Sequence, residues 1–212
     1  MSKIYIYGVA KYENGLLSFN QKQLVKTESG ELEQSLNICY KELGIMYPKF
    51  FKMDSISKTG FLCAEILVQQ FPEVKEGDLN QVGVLINSCS GSLDSDSKFQ
   101  NTISEKDNYF PSPGVFVYTL PNIVIGEICI RHGFKGENLC LISSVPEARL
   151  MQVNLKSWFQ QDSTNYCIGG WIDAKENVSL ATLFLVGRDS DKSIAEWTEE
   201  NIRKFCSTIH NQ

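Results

Sequence analysis

The chain has 212 residues, of which 42% are hydrophobic and 21% are charged, and its formal net charge is −5. These values are ordinary for a folded domain, and they exclude a disordered tail, a collagen-like repeat and a coiled coil. Basic and acidic residues alternate along the chain without a basic stripe, so nucleic acid is not an expected partner.

The cysteines and the N-terminal sequence indicate a reducing compartment. The seven cysteines include no CxxC pair, and two histidines are too few for a zinc finger, so we expect free, buried thiols. The opening sequence MSKIYIYGVA lacks the sustained apolar core of a signal peptide. No stretch reaches the roughly 20 apolar residues of a membrane-spanning helix. We therefore expect a cytoplasmic protein.

The first third of the chain contains a strand, a region without a clear pattern and a capped helix. Residues 3–9 alternate between apolar and polar positions, as a strand does, and Asn14-Gly15 is a turn signal. Residues 16–45 are polar and mixed and predict no definite element. Asp54 or the residue after it can cap a helix that ends before Pro72.

The middle of the chain contains a buried strand and a polar stretch. Residues 82–86 (VGVLI) are a continuous apolar run rich in β-branched residues, which is typical of a strand buried on both faces. A loop of small residues follows, and we expect residues 94–109 to make an excursion over the surface. Residues 118–132 are apolar nearly all round and predict a buried helix that ends at Gly133.

The remaining sequence alternates between strands and helices. Residues 138–143 predict a second buried strand, and residues 147–160 predict an amphipathic helix. Further strands are predicted over residues 166–172 and 181–186, and a C-terminal helix over residues 196–209. This order predicts an α/β domain with a mixed, mostly parallel sheet of about five strands and helices on both faces.

Motifs of known chemistry are missing from the sequence. Cys89 lies in a small-residue loop at a strand end, but neither His132 nor His210 has an evident relation to it. Ser144 follows a strand and precedes a helix, yet it lacks the glycines of a GxSxG elbow. Since Walker and GxGxxG motifs are also missing, we expect no cofactor and no metal ion.

Residues 112–143 (SPGVFVYTLPNIVIGEICIRHGFKGENLCLIS) combine a Ser-Pro opening, a buried helix that contains Asn122, a Gly-x-x-Gly turn and a buried strand. In this combination the segment resembles the N-terminal half of the β-ketoacyl-(acyl carrier protein) synthases, which belong to the thiolase-like superfamily. The segments KFFKMDSISKTGFLCAEILVQQ, VGVLINSCSGSL, DSTNYCIGGWIDA and ATLFLV are similar to neighbouring parts of that half, in the same order. The resemblance implies one thiolase-like half domain over residues 1–212, without the C-terminal half.

Two departures from the family pattern bear on function. Carrying the resemblance forward from Gly136 places Val145 where a synthase has its nucleophilic cysteine, and a valine side chain cannot form a thioester. The family's catalytic histidines lie in the later half, and neither His132 nor His210 fits their roles. The resemblance therefore implies a pseudoenzyme that does not condense acyl chains on its own.

The resemblance further implies an accessory role like that of the chain length factors, which are synthase-like partners without a nucleophile. We expect a non-catalytic subunit of a type II fatty-acid-like, polyketide, aryl polyene or flexirubin-type pathway. Its expected partner in a dimer is a full-length β-ketoacyl synthase or a second copy, and acyl carrier protein is a further candidate partner. The expected acyl-channel or dimer-interface residues are Val115, Phe116, Asn122, Ser143, Ser144 and Val145.

An enzymatic alternative remains open at this point. The chain would then be a residual acyltransferase or thioesterase that acts on acyl carrier protein thioesters. Its nucleophile would be Cys89 or Ser144, the two candidates that lie after buried strands.

Overall fold

A computed structural model describes residues 3–28, 30–106 and 109–207. The strands are β1 (Tyr5–Glu13), β2 (Leu16–Phe19), β3 (Lys22–Lys26), β4 (Val82–Ser88), β5 (Asn138–Ile142), β6 (Tyr166–Lys175), β7 (Val178–Gly187) and β8 (Ala195–Glu196). The α-helices are α1 (Leu32–Glu42), α2 (Ser55–Gln70), α3 (Leu93–Asn101), α4 (Pro113–Phe116), α5 (Ile123–His132), α6 (Ala148–Gln160) and α7 (Glu199–Cys206). Among these described helices, none has the length and apolar character that crossing a bilayer demands.

The strands form one mixed sheet in the order β3-β2-β1-β7-β6-β4-β5, and β8 pairs with the first residues of β1. Within the described sheet, β4 pairs in parallel with β5 and β6, whereas the other pairs are antiparallel. The predicted α/β class and the mixed sheet are confirmed. The count of about five, mostly parallel strands needs correction, because residues 16–26 and 195–196 add short antiparallel strands that their polar composition did not indicate.

The N-terminal hairpin is built by local turn chemistry. Asn14 and Gly15 both have positive φ angles, of 44° and 91°, and they connect β1 to β2. Such angles are needed in the two-residue turns that match the twist of antiparallel strands. The predicted turn is therefore confirmed, and it brings Leu16–Phe19 into register with β1.

Several helix boundaries follow the signals in the sequence. The Asp54 carboxylate accepts a hydrogen bond from the Ser57 N–H at 3.0 Å and caps α2, as predicted. Gly133 adopts φ 77° and ends α5, as predicted. The predicted helix over 118–132 begins only at Ile123, because residues 113–116 form the separate short helix α4.

One expectation from the sequence is incomplete and another is wrong. The described part of residues 94–109 is mostly exposed, as an excursion over the surface predicts, but residues 93–101 form helix α3, which was not predicted. Residues 138–143 were expected as a buried strand, but β5 is the last strand of the sheet and both of its ends, Asn138 and Ile142, are exposed. An apolar strand sequence does not distinguish burial within the chain from an exposed edge.

Helices cover both faces of the sheet, as predicted. On one face α2 is buried along most of its length and packs against α1 and α5. A Cβ atom on Gly60 of α2 would lie 2.6 Å from both Val124 and Ile172, so only glycine permits this close packing. On the other face α6 and α7 cover the sheet, where Trp197 is fully buried with its ring edge-on to Phe184.

Buried charges join the helices of the first face. Glu65 on α2 is 3% exposed, and its carboxylate accepts hydrogen bonds from Arg131 on α5, with Nε–Oε1 at 2.5 Å. Glu127 on α5 is 1% exposed and accepts a hydrogen bond from the Tyr118 hydroxyl at 3.1 Å. The Lys49 ammonium lies 2.7 Å from the same carboxylate. These pairs fix α5 and the 3₁₀ turn at 48–52 to the core.

His132 is buried beside this network at the end of α5. Its ring stacks on Phe134 with 5.2 Å between ring centroids, and its Nε2 lies 3.5 Å from the Glu65 carboxylate. Burial lowers the pKa of His132 to about 3, and the positive charges of Lys75 and Arg131 act in the same direction. The imidazole is therefore neutral near pH 7.

Arg131→Met should destabilise the fold strongly. The methionine retains much of the apolar stem but leaves the Glu65 carboxylate buried without its cation, so we expect a loss of roughly 3 kcal/mol in the free energy of unfolding. Urea unfolding followed by circular dichroism measures it. The control is Arg203→Met, which breaks an exposed pair with Glu199 on α7 and should change stability by less than about 1 kcal/mol. Equal losses in both variants would contradict this role.

Stability should fall in mild acid because of His132. An unfolded imidazole with an ordinary pKa of about 6.5 binds a proton that the folded protein, with a pKa of about 3, does not bind. The stabilisation is complete above about pH 6.5 and is lost at about 1.4 kcal/mol per pH unit as the pH falls toward 3. The free energy of unfolding is measured with urea between pH 7.5 and 4 for the native chain and for His132→Asn. Its dependence on pH should be steeper in the native chain by this slope. Identical slopes would show that the imidazole titrates normally in the fold.

Candidate functional site

The turn between β5 and α6 is held by a buried amide. Asn87, at the end of β4, is fully buried, and its Nδ2 donates hydrogen bonds to the Leu141 carbonyl at 3.1 Å and the Ser143 hydroxyl at 2.7 Å. Its Oδ1 accepts a hydrogen bond from the Glu147 N–H at 2.8 Å. The Ser143 hydroxyl in turn donates to the Val145 carbonyl at 2.8 Å. The turn is therefore fixed from inside, while the Val145 side chain remains 48% exposed.

The loop after β4 is held by a carboxylate from β6. The Asp173 Oδ1 accepts hydrogen bonds from the N–H groups of Cys89 at 3.3 Å and Ser90 at 2.8 Å. The hydroxyls of Ser90 and Ser88 also donate to it, at 2.6 and 3.2 Å. This loop and the turn after β5 lie at the carboxyl ends of neighbouring parallel strands, which is where open α/β sheets place their ligand sites.

The predicted site residues lie on three segments near this end of the sheet. Ser143, Ser144 and Val145 form the turn after β5, while Val115 and Phe116 belong to α4, which packs on α3. Asn122 is an exposed residue that immediately precedes α5. The segment before it lies against β5, because the Cys140 thiol donates to the Pro121 carbonyl at 3.4 Å.

Two residues that organise this site, Asn87 and Asp173, were not predicted from the sequence. Asn87 closes the apolar run of β4, and Asp173 lies within the hydrophobic sequence of β6. A single polar residue near the end of a buried strand could have indicated them, because a buried polar group needs hydrogen-bond partners. The identity of those partners depends on tertiary structure.

The two candidate nucleophiles are accessible but lie without a base. Cys89 and Ser144 are exposed, and within the described ranges neither side chain hydrogen-bonds to a histidine or a carboxylate. His132 is buried at the opposite end of β5, and His210 lies outside the described residues. The described side chains also contain no group of three His, Cys, Asp or Glu residues suited to a metal ion.

The cysteines agree only in part with the expectation of buried thiols. All seven are free, and four of them are buried. Cys89 is exposed, and Cys129 and Cys140 are partly buried. Burial raises the pKa of the Cys129 thiol to about 11, so this thiol stays protonated near pH 7.

An apolar surface surrounds the free edge of β5. Within the described chain, β4 is the one strand that pairs with β5, so the other edge of β5 carries unpaired backbone groups. Large exposed apolar side chains lie at the end of β5 (Ile142), on the turn after it (Val145) and on the segment that lies against β5 (Leu120). We call this edge and these three residues the β5 surface. Further exposed apolar side chains lie on α3, on α4 and in the chain between and after them: Leu93, Tyr109, Phe110, Phe116 and Val117. Phe110 is 76% exposed, which is unusual for a side chain of its size.

Comparison with known proteins shows similarity in structure and not in sequence. No protein-family model matches the chain, and no curated protein matches it either. Solved structures do match, and one is described as the ishigamide ketosynthase/chain length factor. Its TM-score is 0.63 at 12% identity, and the match covers 91% of this chain and 64% of that chain.

Two further structures have similar scores. A chain from the complex of the ketosynthase ApeO with its chain length factor ApeC, from Xenorhabdus doucetiae, has a TM-score of 0.61 at 8% identity, covering 100% of this chain and 93% of that chain. The second is a chain from AntDE:AntF, which is described as a type II polyketide synthase acyl-carrier protein in complex with its ketosynthase. Its TM-score is 0.61 at 11% identity, and the match covers 90% of this chain and 64% of that chain.

These matches establish the fold. The chain spans less than two thirds of the ishigamide and AntDE:AntF chains, and nearly all of the matched chain from the ApeO–ApeC complex. At sequence identities near 10%, these similarities are evidence for a shared fold and for nothing more. The predicted fold is confirmed, because the chain has the α/β fold found in structures of ketosynthases and their chain length factors. The extent of the half domain over residues 1–212 stays a prediction.

Proposed function

We propose that this chain is a non-catalytic accessory subunit that pairs with a full-length β-ketoacyl synthase and shapes the acyl channel of that partner. The pathway would be a type II fatty-acid-like, polyketide, aryl polyene or flexirubin-type pathway. The observation that carries the proposal is the β5 surface, which combines an unpaired strand edge with exposed apolar side chains.

Such a surface calls for a partner on physical grounds. An exposed strand edge is a template for pairing with another chain, and soluble proteins usually shorten it, charge it or cover it. Here no charged residue lies in β5, and Ile142 at its end is 56% exposed. Contiguous exposed apolar surface is characteristic of a protein–protein interface.

The choice of a synthase as the partner is supported by the structural neighbours. Two of them are described as a ketosynthase with a chain length factor, and nearly the full length of the matched ApeO–ApeC chain corresponds to this chain. A fold that assembles with a ketosynthase there is a reasonable model for assembly here. A second copy of this chain is the competing occupant of the same surface.

A non-catalytic role fits the turn after β5. The turn presents Val145, which has no nucleophilic atom, and the hydrogen bonds of Asn87 leave little freedom to rearrange it. In the proposed pair, Val145 and Phe116 line or plug the acyl channel. The neighbouring residues Val115, Asn122, Ser143 and Ser144 contribute to the channel or to the interface.

Acyl carrier protein is the weaker of the proposed partners. One structural neighbour is described as a carrier protein bound to its ketosynthase, which supports contact with the assembly as a whole. This chain has a net charge of −5, and carrier proteins are acidic, so direct contact is opposed by like charges. We therefore propose that a carrier protein reaches the synthase side of the pair.

Ile142→Glu and Leu120→Glu should each weaken the complex with the synthase. Both side chains are more than half exposed, so the substitutions should leave the fold intact while they place a charge in an apolar interface. We expect at least about 30-fold weaker binding, corresponding to about 2 kcal/mol. The chain is co-expressed with a tagged full-length β-ketoacyl synthase from the same source, and affinity is measured by biolayer interferometry.

The matched control is Val178→Glu, which alters a similarly exposed apolar residue on β7, away from the β5 surface. It should bind like the native chain. Failure to form any complex with the synthase, together with unchanged product length when this chain is deleted, would refute the accessory role. A stable dimer of this chain alone, sensitive to the same substitutions, would assign the surface to a second copy.

The enzymatic alternative is tested separately by acyl transfer. We expect no covalent acyl adduct and no hydrolysis when the chain is incubated with acyl carrier protein thioesters, because Cys89 and Ser144 lie without a base in the described structure. Intact-protein mass spectrometry and thiol release measure both. An adduct or activity that disappears in Cys89→Ala or Ser144→Ala would establish a residual acyltransferase or thioesterase.

A further inference from the structure

A second group of exposed apolar side chains lies where the C-terminal end of α5 meets the 3₁₀ turn at 48–52. Met46, just before that turn, is 87% exposed, and Ile130, in the last turn of α5, is 66% exposed. Phe51, within the 3₁₀ turn, is 49% exposed. Single apolar side chains are common on protein surfaces, whereas a contiguous group of them marks a binding surface.

Contacts between these segments make the surface continuous. The guanidinium of Arg131, in the last turn of α5, donates a hydrogen bond to the Met46 carbonyl at 3.5 Å and lies 5.0 Å from the centroid of the Tyr47 ring. The Tyr47 N–H donates to the Tyr40 hydroxyl at 2.6 Å, and the Tyr40 ring meets the Phe51 ring edge-on, with 5.1 Å between centroids. The end of α5, the chain before the 3₁₀ turn and the turn itself therefore form one face.

Two exposed lysines without a partner lie on the same face. Over the described ranges, no carboxylate oxygen lies within 4.0 Å of the ammonium group of Lys41 or Lys52. Glu42 is the one acidic residue in the sequence between residues 40 and 53. The three apolar side chains and these two lysines are called the Met46 surface: Met46, Phe51, Ile130, Lys41 and Lys52.

Two further cations on this face lie over buried carboxylates. Lys49 pairs with Glu127 at 2.7 Å, and both carboxylates concerned are buried whereas the cations are partly exposed. Arg131 pairs with Glu65 in the same way, at 2.5 Å. The negative charges therefore lie on the inner side of the cations, and the outward-facing charge is mainly positive on a chain whose net charge is −5.

The combination of protruding apolar side chains and cations matches an anionic bilayer better than a protein. Met46 and Ile130 project from a loop and from a helix end. A bilayer surface accepts separate protruding side chains, whereas a protein partner must offer a fitted pocket to each of them. Lysine side chains near an anionic leaflet are attracted to it, by roughly 1 kcal/mol each, and their long stems reach the lipid phosphates.

We propose that the Met46 surface binds the surface of an anionic lipid bilayer. Its three apolar side chains lie at the depth of the headgroups, and its two lysines pair with lipid phosphates. The contact is peripheral and reversible, because three side chains bury little apolar area. The Met46 surface shares no residue with the β5 surface or with the expected acyl channel, so this proposal does not rest on pairing with a synthase.

The lipid selectivity is tested by sedimentation of the full chain with unilamellar vesicles. Vesicles that mix phosphatidylcholine with phosphatidylglycerol should bind the chain at least about tenfold more strongly than phosphatidylcholine alone, because only the mixed vesicles attract the lysines. Added salt should weaken this binding by screening the charges. Equal binding to both kinds of vesicle, or binding to neither, would overturn the proposal.

The apolar contribution is tested by Met46→Ser and Ile130→Ser. Both side chains are largely exposed, so the variants should fold normally, and each should bind mixed vesicles at least about fivefold more weakly. The matched control is Val178→Ser, which shortens an exposed apolar residue of β7 outside the Met46 surface and should bind like the native chain. Native affinity in both Met46→Ser and Ile130→Ser would show that the contact lies elsewhere.

The charge is tested by Lys52→Glu, which should weaken binding to mixed vesicles at least about tenfold. The control is Lys26→Glu, which reverses an exposed lysine on β3 and should have little effect. Thermal unfolding of each variant without lipid verifies that the fold persists. Equal losses in the two variants would reduce the effect to net charge and overturn the assignment. Binding to an acyl carrier protein that is lost in Lys52→Glu, without binding to vesicles, would assign the surface to an acidic protein instead.

Discussion

The structure depends on β4, whose seven residues are all buried and which is hydrogen-bonded in parallel to a strand on each side. A strand in this position has no free backbone group and no contact with water. Its register therefore constrains the neighbouring strands β5 and β6 and the segments that follow them. Its terminal residues set the candidate site, because Asn87 holds the turn after β5 and Ser88 joins the loop that Asp173 organises. The buried amide of Asn87 donates hydrogen bonds through Nδ2 and accepts one through Oδ1, so it fixes that geometry more firmly than apolar packing would.

The features that the sequence predicts correctly are those that depend on a single short segment of the chain. The cap at Asp54, the left-handed Gly133 and the hairpin turn at Asn14 are local choices of backbone conformation, and each is as predicted. The position of β5 in the sheet is not local, because the apolar sequence NLCLI suits an interior strand or an edge that meets another chain. Helix α3 was missed for a different, local reason, because its few apolar residues make a weak helical pattern.

The candidate site was predictable in outline only. The resemblance placed Val145 at the turn after β5, and the structure has such a turn, yet nothing in the sequence assigned Asn87 and Asp173 to hold its surroundings. The buried charges of α2 and α5 were equally hidden, because Glu65 and Arg131 are far apart along the chain and pair only once the helices pack.

The pairing of β1 has a consequence for the order in which the protein folds. Tyr5 pairs with Gly187 of β7 and with Glu196 of β8, so the sheet joins residues from nearly the two extremes of the described chain. Closing such long loops is slow compared with local helix formation. During synthesis, β1 can form its hairpin with β2 early, but its pairing with β7 and β8 must wait until those strands have emerged, so part of its apolar surface is uncovered meanwhile. Production of this protein should therefore depend on chaperones and temperature more than its modest size suggests.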